Sequence, residues 1–484
     1  MEPVEPIPNI DQAVPPAPVP TPVPGPTPAP APVLVPPATK PDPRDEACRL
    51  LVRLDSPEAR ARELVDEALR NLTFSPEDAG LLQELVHGTL RQRGLLDWRL
   101  SQVSHRPLEA LSPWVRALLR LSLYQVLFLD RIPAAAAVDS ACEIARRHGH
   151  DGVVKFVNGC LREICRQKSE NKLLALPAHP VQRLAIESSH PVWMAERLTD
   201  SFGWERAAQA LAASNQAPPL TLRVNPQRAR RDEVASRLHQ AGFHVEPCRY
   251  SPWGLRVKEA VDTRRLPGFL DGDFHVQDES AQLVGLLMEP KPDWQVADVC
   301  AAPGGKLCLL AELLGKSGRL WAFDRKAGSM EKIQSTLRRQ GIQHLVCETR
   351  DALSPKDELA GKMYGVLVDA PCSALGVLRR RAEARWQLRP ESLPVAVERQ
   401  ARILAASARY LKPGGVLVYT VNSWDEDEGE GVVARFLERT PGFSFERASQ
   451  FVPHEVCTRD GFLRVWPGQD GMDGVFAARL RRVG

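Results

Sequence analysis

The sequence lacks an unbroken apolar run of about 18 residues, the length a membrane-spanning helix needs. No basic stretch followed by an apolar one comes after Met1, so a secretory leader is not expected. The ten cysteines include no C-x-x-C pair and no cluster with histidine. That argues against a structural zinc site and a disulfide framework, and for a reducing, cytoplasmic setting. Charge of one sign is scarce too: the net charge is +3 on 484 residues, so any nucleic-acid surface must be local.

What is present is unevenly arranged. A length of 484 residues suggests two to four domains. Seventeen of the 42 prolines lie in residues 1–43, in runs such as Ala17-Pro18-Val19-Pro20. Proline removes backbone donors and fixes φ, so a disordered, coreless tail is expected there, with a docking arm as the functional alternative. Residues 44–172 show apolar spacing of three and four throughout, as in Leu81-Leu82-Leu85-Val86, and predict an all-α bundle. Ser112-Pro113 marks one helix start, and Gly149 the stop of the helix over 135–147. Arg146, Arg147, Lys155, Arg162, Arg166 and Lys168 crowd the last third of this bundle. Such a run is either a solvated face or an RNA contact. Residues 173–270 mix short strands and helices, as a small α/β accessory lobe would.

From 271 to 484 strands and helices alternate. Val296–Val299, Leu320–Phe323, Val366–Val368 and Val416–Tyr419 are apolar on nearly every residue, the mark of strands covered on both faces. The expectation is a doubly wound, Rossmann-like α/β domain.

The sharpest chemistry lies in Cys300-Ala301-Ala302-Pro303-Gly304-Gly305-Lys306, a small-residue turn between a strand and a helix. Backbone N–H groups and a helix N-terminus there can approach a polar ligand. It is not a P-loop, because Cys300 and Leu307 stand where glycine and Ser/Thr are required, and G-x-G-x-x-G is absent. Asp324 ends the next strand, roughly 20 residues past the glycines, where an acid accepts ribose hydroxyls. The ligand so indicated has a ribose and needs no pyrophosphate, and S-adenosylmethionine fits. Asp351 could reach an adenine. A third turn, Asp369-Ala370-Pro371-Cys372-Ser373, again follows a strand. Asp369 and Cys372 there suit nucleophilic or acid/base work, since a thiolate is a strong nucleophile once nearby positive charge lowers its pKa. Arg379, Arg380, Arg381 and Arg385 could supply that charge, or bind phosphates.

The segments 300–306 and 369–373 resemble the cofactor and Pro-Cys motifs of the Sun-type RNA cytosine-5 methyltransferases. The helical block resembles a NusB-like RNA-binding domain, a fusion found in bacterial 16S rRNA methyltransferases. Arg223-Val224-Asn225, Val276–Ser280, Asp460–Arg464 and Asp473–Phe476 are similar to further segments of that family. The resemblance implies that Cys300, Ala301, Ala302, Pro303, Gly304, Gly305 and Lys306 wrap the methionine part of S-adenosylmethionine. It puts Asp324 on the ribose, Asp351 near the adenine and Asp369 toward the target cytosine. It also implies small-subunit rRNA as partner, with Arg162, Arg166, Arg379 and Arg380 as candidate RNA contacts. One departure stands out. The family's nucleophilic cysteine follows the strand matching Val416–Tyr419, and here Asn422 holds that place, leaving Cys372 as the candidate catalytic thiol. A protein that keeps the fold and RNA binding without catalysis is the alternative. Leu307 departs from the family's usual threonine.

Overall fold

The computed structural model describes residues 41–484 apart from Leu174, Ala260 and His344. The proline-rich segment expected in residues 1–43 therefore lies almost wholly outside the described residues.

The first region is helical, as its spacing predicts. Helices run over Pro43–Arg53, Ala61–Asn71, Pro76–Ser101, Pro113–Phe128, Ala134–His148 and Asp151–Ser169. The Ser112 side chain accepts from Val115 N at 3.3 Å, so the serine caps and Pro113 opens the fourth helix. Leu50, Leu85, Leu118, Leu119, Val157 and Leu161 form its core.

The accessory lobe begins with helices Pro180–Glu187, Val192–Phe202 and Trp204–Ala213. Four strands follow: β1 (Leu220–Val224), β2 (Val245–Pro247), β3 (Gly254–Val257) and β4 (Phe274–Val276). They form an antiparallel sheet in the order β2-β3-β1-β4, over which helix Arg231–Gln240 lays Val234 and Leu238.

The last region carries β5 (Gln295–Asp298), β6 (Arg319–Asp324), β7 (Leu345–Thr349), β8 (Met363–Asp369), β9 (Leu411–Val421), β10 (Phe443–Glu446), β11 (Leu463–Val465) and β12 (Val475–Arg482). The sheet order is β10-β12-β9-β8-β5-β6-β7, with β11 beside β12. The strands from β5 to β9 pair in parallel, whereas β12 runs antiparallel to both β9 and β10. Period-two alternation divides each parallel strand between two cores. Val296, Leu320, Leu367 and Val418 face helices Glu279–Met288, Gly305–Leu314 and Ala327–Gln340. Ala297, Phe323, Val366 and Tyr419 face helices Ser392–Ala408 and Glu430–Arg439. This burial on both sides is why those strands read as continuous apolar runs. Strand order reverses between β5 and β8, opening a crevice at their carboxyl ends.

Candidate active site

The crevice is built from strand ends. The carboxylate of Asp298, closing β5, accepts from Cys300 N at 3.3 Å, and Ala301 N donates to Phe323 O at 2.9 Å. Ala302 N then donates to Asp324 Oδ2 at 3.1 Å, while Lys326 N donates to Oδ1 at 3.0 Å. Asp324 thus holds the turn from the neighbouring strand. Gly304 has φ +103°, a left-handed value that a side chain resists, and helix Gly305–Leu314 starts directly after it. Asp351 lies just past β7 and accepts from Leu353 N at 2.9 Å.

Across the switch point, Asp369 ends β8. Its Oδ2 accepts from Lys306 Nζ at 2.7 Å, and its Oδ1 is buried with no hydrogen-bond partner. A cavity of about 540 Å³ opens above these groups, lined by Cys300, Ala302, Asp324, Asp351, Asp369, Cys372 and Asn422. Ala301, Pro303, Gly304, Gly305 and Lys306 do not line it directly. Ala301 is buried against the sheet, the glycines open the helix, and Lys306 acts through Asp369. Beneath the cavity, burial and the nearby charge of Asp369 push the Asp298 carboxyl up to about 8, so it keeps its proton at neutral pH.

Cys372 sits in a negative, enclosed setting. Burial and the carboxylates of Glu428 and Asp369 push its thiol up to about 12, only partly offset by the backbone N–H groups of Ala374 and Asn422. Glu428 is wholly buried and anchors the turn. It accepts from Ser373 N at 2.9 Å, from the Ser373 hydroxyl, and from Gln400 Nε2 at 2.8 Å. Asn422 follows β9, and three residues on Asp425 is gripped by Arg197 of the lobe helix Val192–Phe202, with Nη2 donating at 3.0 Å.

The arginines after Cys372 do not supply the expected charge. Arg379 is 4% exposed, with Nε donating to Asp473 at 2.5 Å and Nη2 to Asp278 at 3.4 Å. Arg380 bonds the same two acids. Arg379 is thus turned toward protein carboxylates rather than presented to RNA, a correction forced by the buried charge of Asp278 and Asp473, whereas Arg380, bonded to the same acids, stays exposed. Arg385 is fully buried and donates to Asn215 Oδ1 at 2.7 Å, Ser214 O at 2.9 Å and Ser189 O at 3.0 Å. Only Arg381 reaches the cavity, joined there by Arg399. Residues 378–383 are irregular turn, with no period from which the buried and open arginines could be told apart. On the bundle, Arg162 and Arg166 are exposed, and Arg166 is paired with Glu163 at 2.7 Å and Glu170 at 3.0 Å.

Arg223 ties the lobe to this site. It is fully buried, donates from Nη2 to Glu312 at 2.6 Å and from Nη1 to Gly305 O at 2.8 Å, and so braces the helix after the small-residue turn. Among the described residues no group of acids, histidines and cysteines is arranged to hold a metal ion, and no helix is long and apolar enough to cross a membrane.

Comparison with known proteins agrees with this layout. Family models described as 16S rRNA methyltransferase RsmB/F, NusB family, and RsmF/B-like ferredoxin-like domain match residues 285–481, 41–166 and 190–264. The probable ribosomal RNA small subunit methyltransferase B of Bacillus subtilis is 35% identical over 450 residues, 91% of this chain and 99% of that protein. The ribosomal RNA small subunit methyltransferase B of Pseudomonas putida is 35% identical over 446 residues, again 91% and 99%. The crystal structure of PH0851 superposes with a TM-score of 0.76 at 25% identity, covering 91% of this chain and 99% of that one. With its bundle, lobe and methyltransferase-like sheet in this order, the chain belongs to the ribosomal RNA small subunit methyltransferase B family.

Proposed function

We propose that the protein transfers a methyl group from S-adenosylmethionine to carbon 5 of a cytosine in small-subunit rRNA, with Cys372 as the nucleophile. The carrying observation is that Cys372 and Asn422 share one cavity with the unpartnered Oδ1 of Asp369. The residues present suit the cofactor. A buried carboxylate oxygen without a partner asks for a donor, and the small side chain of Ala302 in the cavity wall lets a ligand approach the backbone. On this reading Asp324 takes the ribose hydroxyls, Asp351 the adenine side, and the turn over 300–306 the methionine part. Bound S-adenosylmethionine supplies an electrophilic sulfonium methyl.

The chain's own residues do the rest. Asp369 Oδ1 accepts from the exocyclic amino group and orients the base. Cys372 Sγ, once deprotonated, would bond to carbon 6, and the electron pair released toward carbon 5 would form the bond to the methyl as the methyl–sulfur bond breaks, its pair staying on the sulfur of the departing thioether. A base then takes the carbon 5 proton, the ring double bond re-forms, and Cys372 Sγ leaves. A cytosine in a stacked helix shows neither face, so the target enters unpaired or flipped out. On this reading the work is done in the cytoplasm, where ribosomal RNA is the substrate.

A second reading has its own support. The amide of Asn422 cannot add to cytosine, and the thiol of Cys372 is held protonated by its surroundings. On that reading the protein binds the cofactor and RNA, serves ribosome assembly and transfers nothing. The deciding experiment is methyl transfer from radiolabelled S-adenosylmethionine to protein-free small-subunit rRNA, comparing the natural chain with Cys372→Ala and Asn422→Cys. Label on cytosine that vanishes in Cys372→Ala supports the first reading. Transfer seen only in Asn422→Cys, with cofactor binding intact in all three, supports the second.

A further inference from the structure

Asn422 stands one residue past the carboxyl end of β9, and its backbone is closely fixed. Where β8 pairs with β9, Asp369 lies opposite Thr420, and Ala370 N donates to Thr420 O at 3.0 Å. Asn422 follows two residues on, so it and Asp369 rise from the ends of neighbouring strands, which run about 4.8 Å apart. The Asn422 carbonyl accepts from Gly376 N at 2.9 Å, and its N–H is turned to the Cys372 thiol. A Cβ on Gly376 would lie 2.3 Å from Gly474 O and 3.1 Å from Asn422 C. The turns therefore meet backbone to backbone, and residue 422 has no room to shift.

The polar side chains on either side of it are engaged within the protein. Thr420 Oγ1 donates to Phe476 O at 2.8 Å. Ser423 Oγ lies 3.2 Å from Ser373 Oγ and accepts from Asp425 N at 3.1 Å. Asp425 is gripped by Arg197, and Glu428 holds Ser373 and Gln400. The side-chain amide of Asn422 is the exception. It has no hydrogen-bond partner among the described residues, and it is not one of their buried, orphaned groups. The residue is half-buried and lines the cavity together with Asp369 and Cys372. An amide that is neither bonded nor sealed off, on a residue of the cavity wall, is left for what enters the cavity.

An extruded base is read along its pairing edge. On cytosine that edge runs from the exocyclic amino group, a donor, to the acceptors N3 and O2. An ionised carboxylate only accepts, so Asp369 suits the amino end, whereas the acceptor end needs the N–H donors that an amide carries. We propose that Asn422 reads the base: its Nδ2 donates to the N3 and O2 side of the target cytosine while Asp369 Oδ1 holds the amino group. Asparagine in the place of the family's sulfur is then a recognition group. This rests on cytosine being the base that enters the cavity, and stands whether or not Cys372 transfers a methyl group.

The test compares the full natural chain with Asn422→Ala and Asn422→Asp, without cofactor so that no transfer occurs. The probes are two single-stranded oligoadenylates, one with a single central cytosine and one with an abasic site in its place. The natural chain should bind the cytosine probe more tightly. Asn422→Ala should lower that affinity by about 3- to 10-fold, the effect of one hydrogen bond, and leave the abasic probe unchanged. Asn422→Asp keeps the size of the side chain but replaces its donors by acceptors, and should lose at least as much. S-adenosylmethionine affinity, measured separately, should be unchanged in both variants, which a folding defect would not allow. A cytosine preference that survives both substitutions would overturn the proposal. So would equal losses on both probes, which assign Asn422 to the RNA backbone, or a loss confined to S-adenosylmethionine, which assigns it to the cofactor. No cytosine preference in the natural chain would overturn the reading of the cavity as a cytosine site, and the proposal with it.

Discussion

Lys306 Nζ donates to Asp369 Oδ2 at 2.7 Å, joining the helix that follows β5 to the end of β8 across the point where strand order reverses. That bond leaves Oδ1 of Asp369 buried without a hydrogen-bond partner in a residue that lines the cavity. Asp369→Ala should therefore abolish methyl transfer while cofactor affinity falls less. Lys306→Ala should impair both, because the turn and the carboxylate lose their mutual anchor. Equilibrium binding of S-adenosylmethionine alongside single-turnover transfer separates the two effects.

The buried Asp298 carboxyl makes stability depend on pH. Its pKa is raised to about 8 in the folded protein from 3.8, so the folded state binds the extra proton between those values. Stability then declines as pH rises from about 4 toward about 8 and levels off above. Asp298→Asn should remove this decline. Urea unfolding of both proteins at pH 5 and pH 8 should show the variant gaining on the natural chain at pH 8, and parallel behaviour would contradict the assignment.

A thiol pushed up to about 12 is mostly protonated at neutral pH, so attack by Cys372 should quicken by nearly tenfold per pH unit in the alkaline range. Covalent capture of 5-fluorocytosine-containing RNA, followed at pH 7, 8 and 9, reads this directly. Glu428→Gln should raise the capture rate at fixed pH by removing a negative neighbour, provided the turn it anchors survives. No adduct at any pH, with cofactor and RNA bound, would remove Cys372 from the role of nucleophile.

Arg223 and Glu312 form an ion pair with side chains 0% and 1% exposed. Removing one partner strands the other charge in the interior, and Arg223→Ala should cost about 3–5 kcal/mol in urea unfolding. Replacing both partners by apolar residues of similar size should cost much less.

On the bundle, Arg162 and Arg166 differ although both are exposed. Arg166 is already paired with Glu163 and Glu170. Arg162→Ala should therefore flatten the salt dependence of RNA binding more than Arg166→Ala does, with about one phosphate contact, or a slope change of about 0.7, as the upper bound for each. An unchanged slope in both variants would make this face plain solvated surface.

The local sequence by itself determined the elements and the cofactor turn. Three- and four-residue apolar spacing suffices for the bundle helices, and Ser112-Pro113 caps a helix through contacts within a few residues. The apolar runs ending in Asp298, Asp324 and Asp369 place these acids at strand ends because period and burial are legible along the chain. The vacancy of sulfur at Asn422 is equally a matter of sequence. What depended on tertiary structure was the fate of each charge. Arg379, Arg380, Arg381 and Arg385 look alike in sequence, yet partners some 90 to 290 residues away bury the first and last and leave only Arg381 at the cavity. The antiparallel place of β12 beside β9, and the burial of Arg223 against Glu312, were likewise decided by long-range packing. Charge and burial are properties of the assembled surroundings, and no local period encodes them.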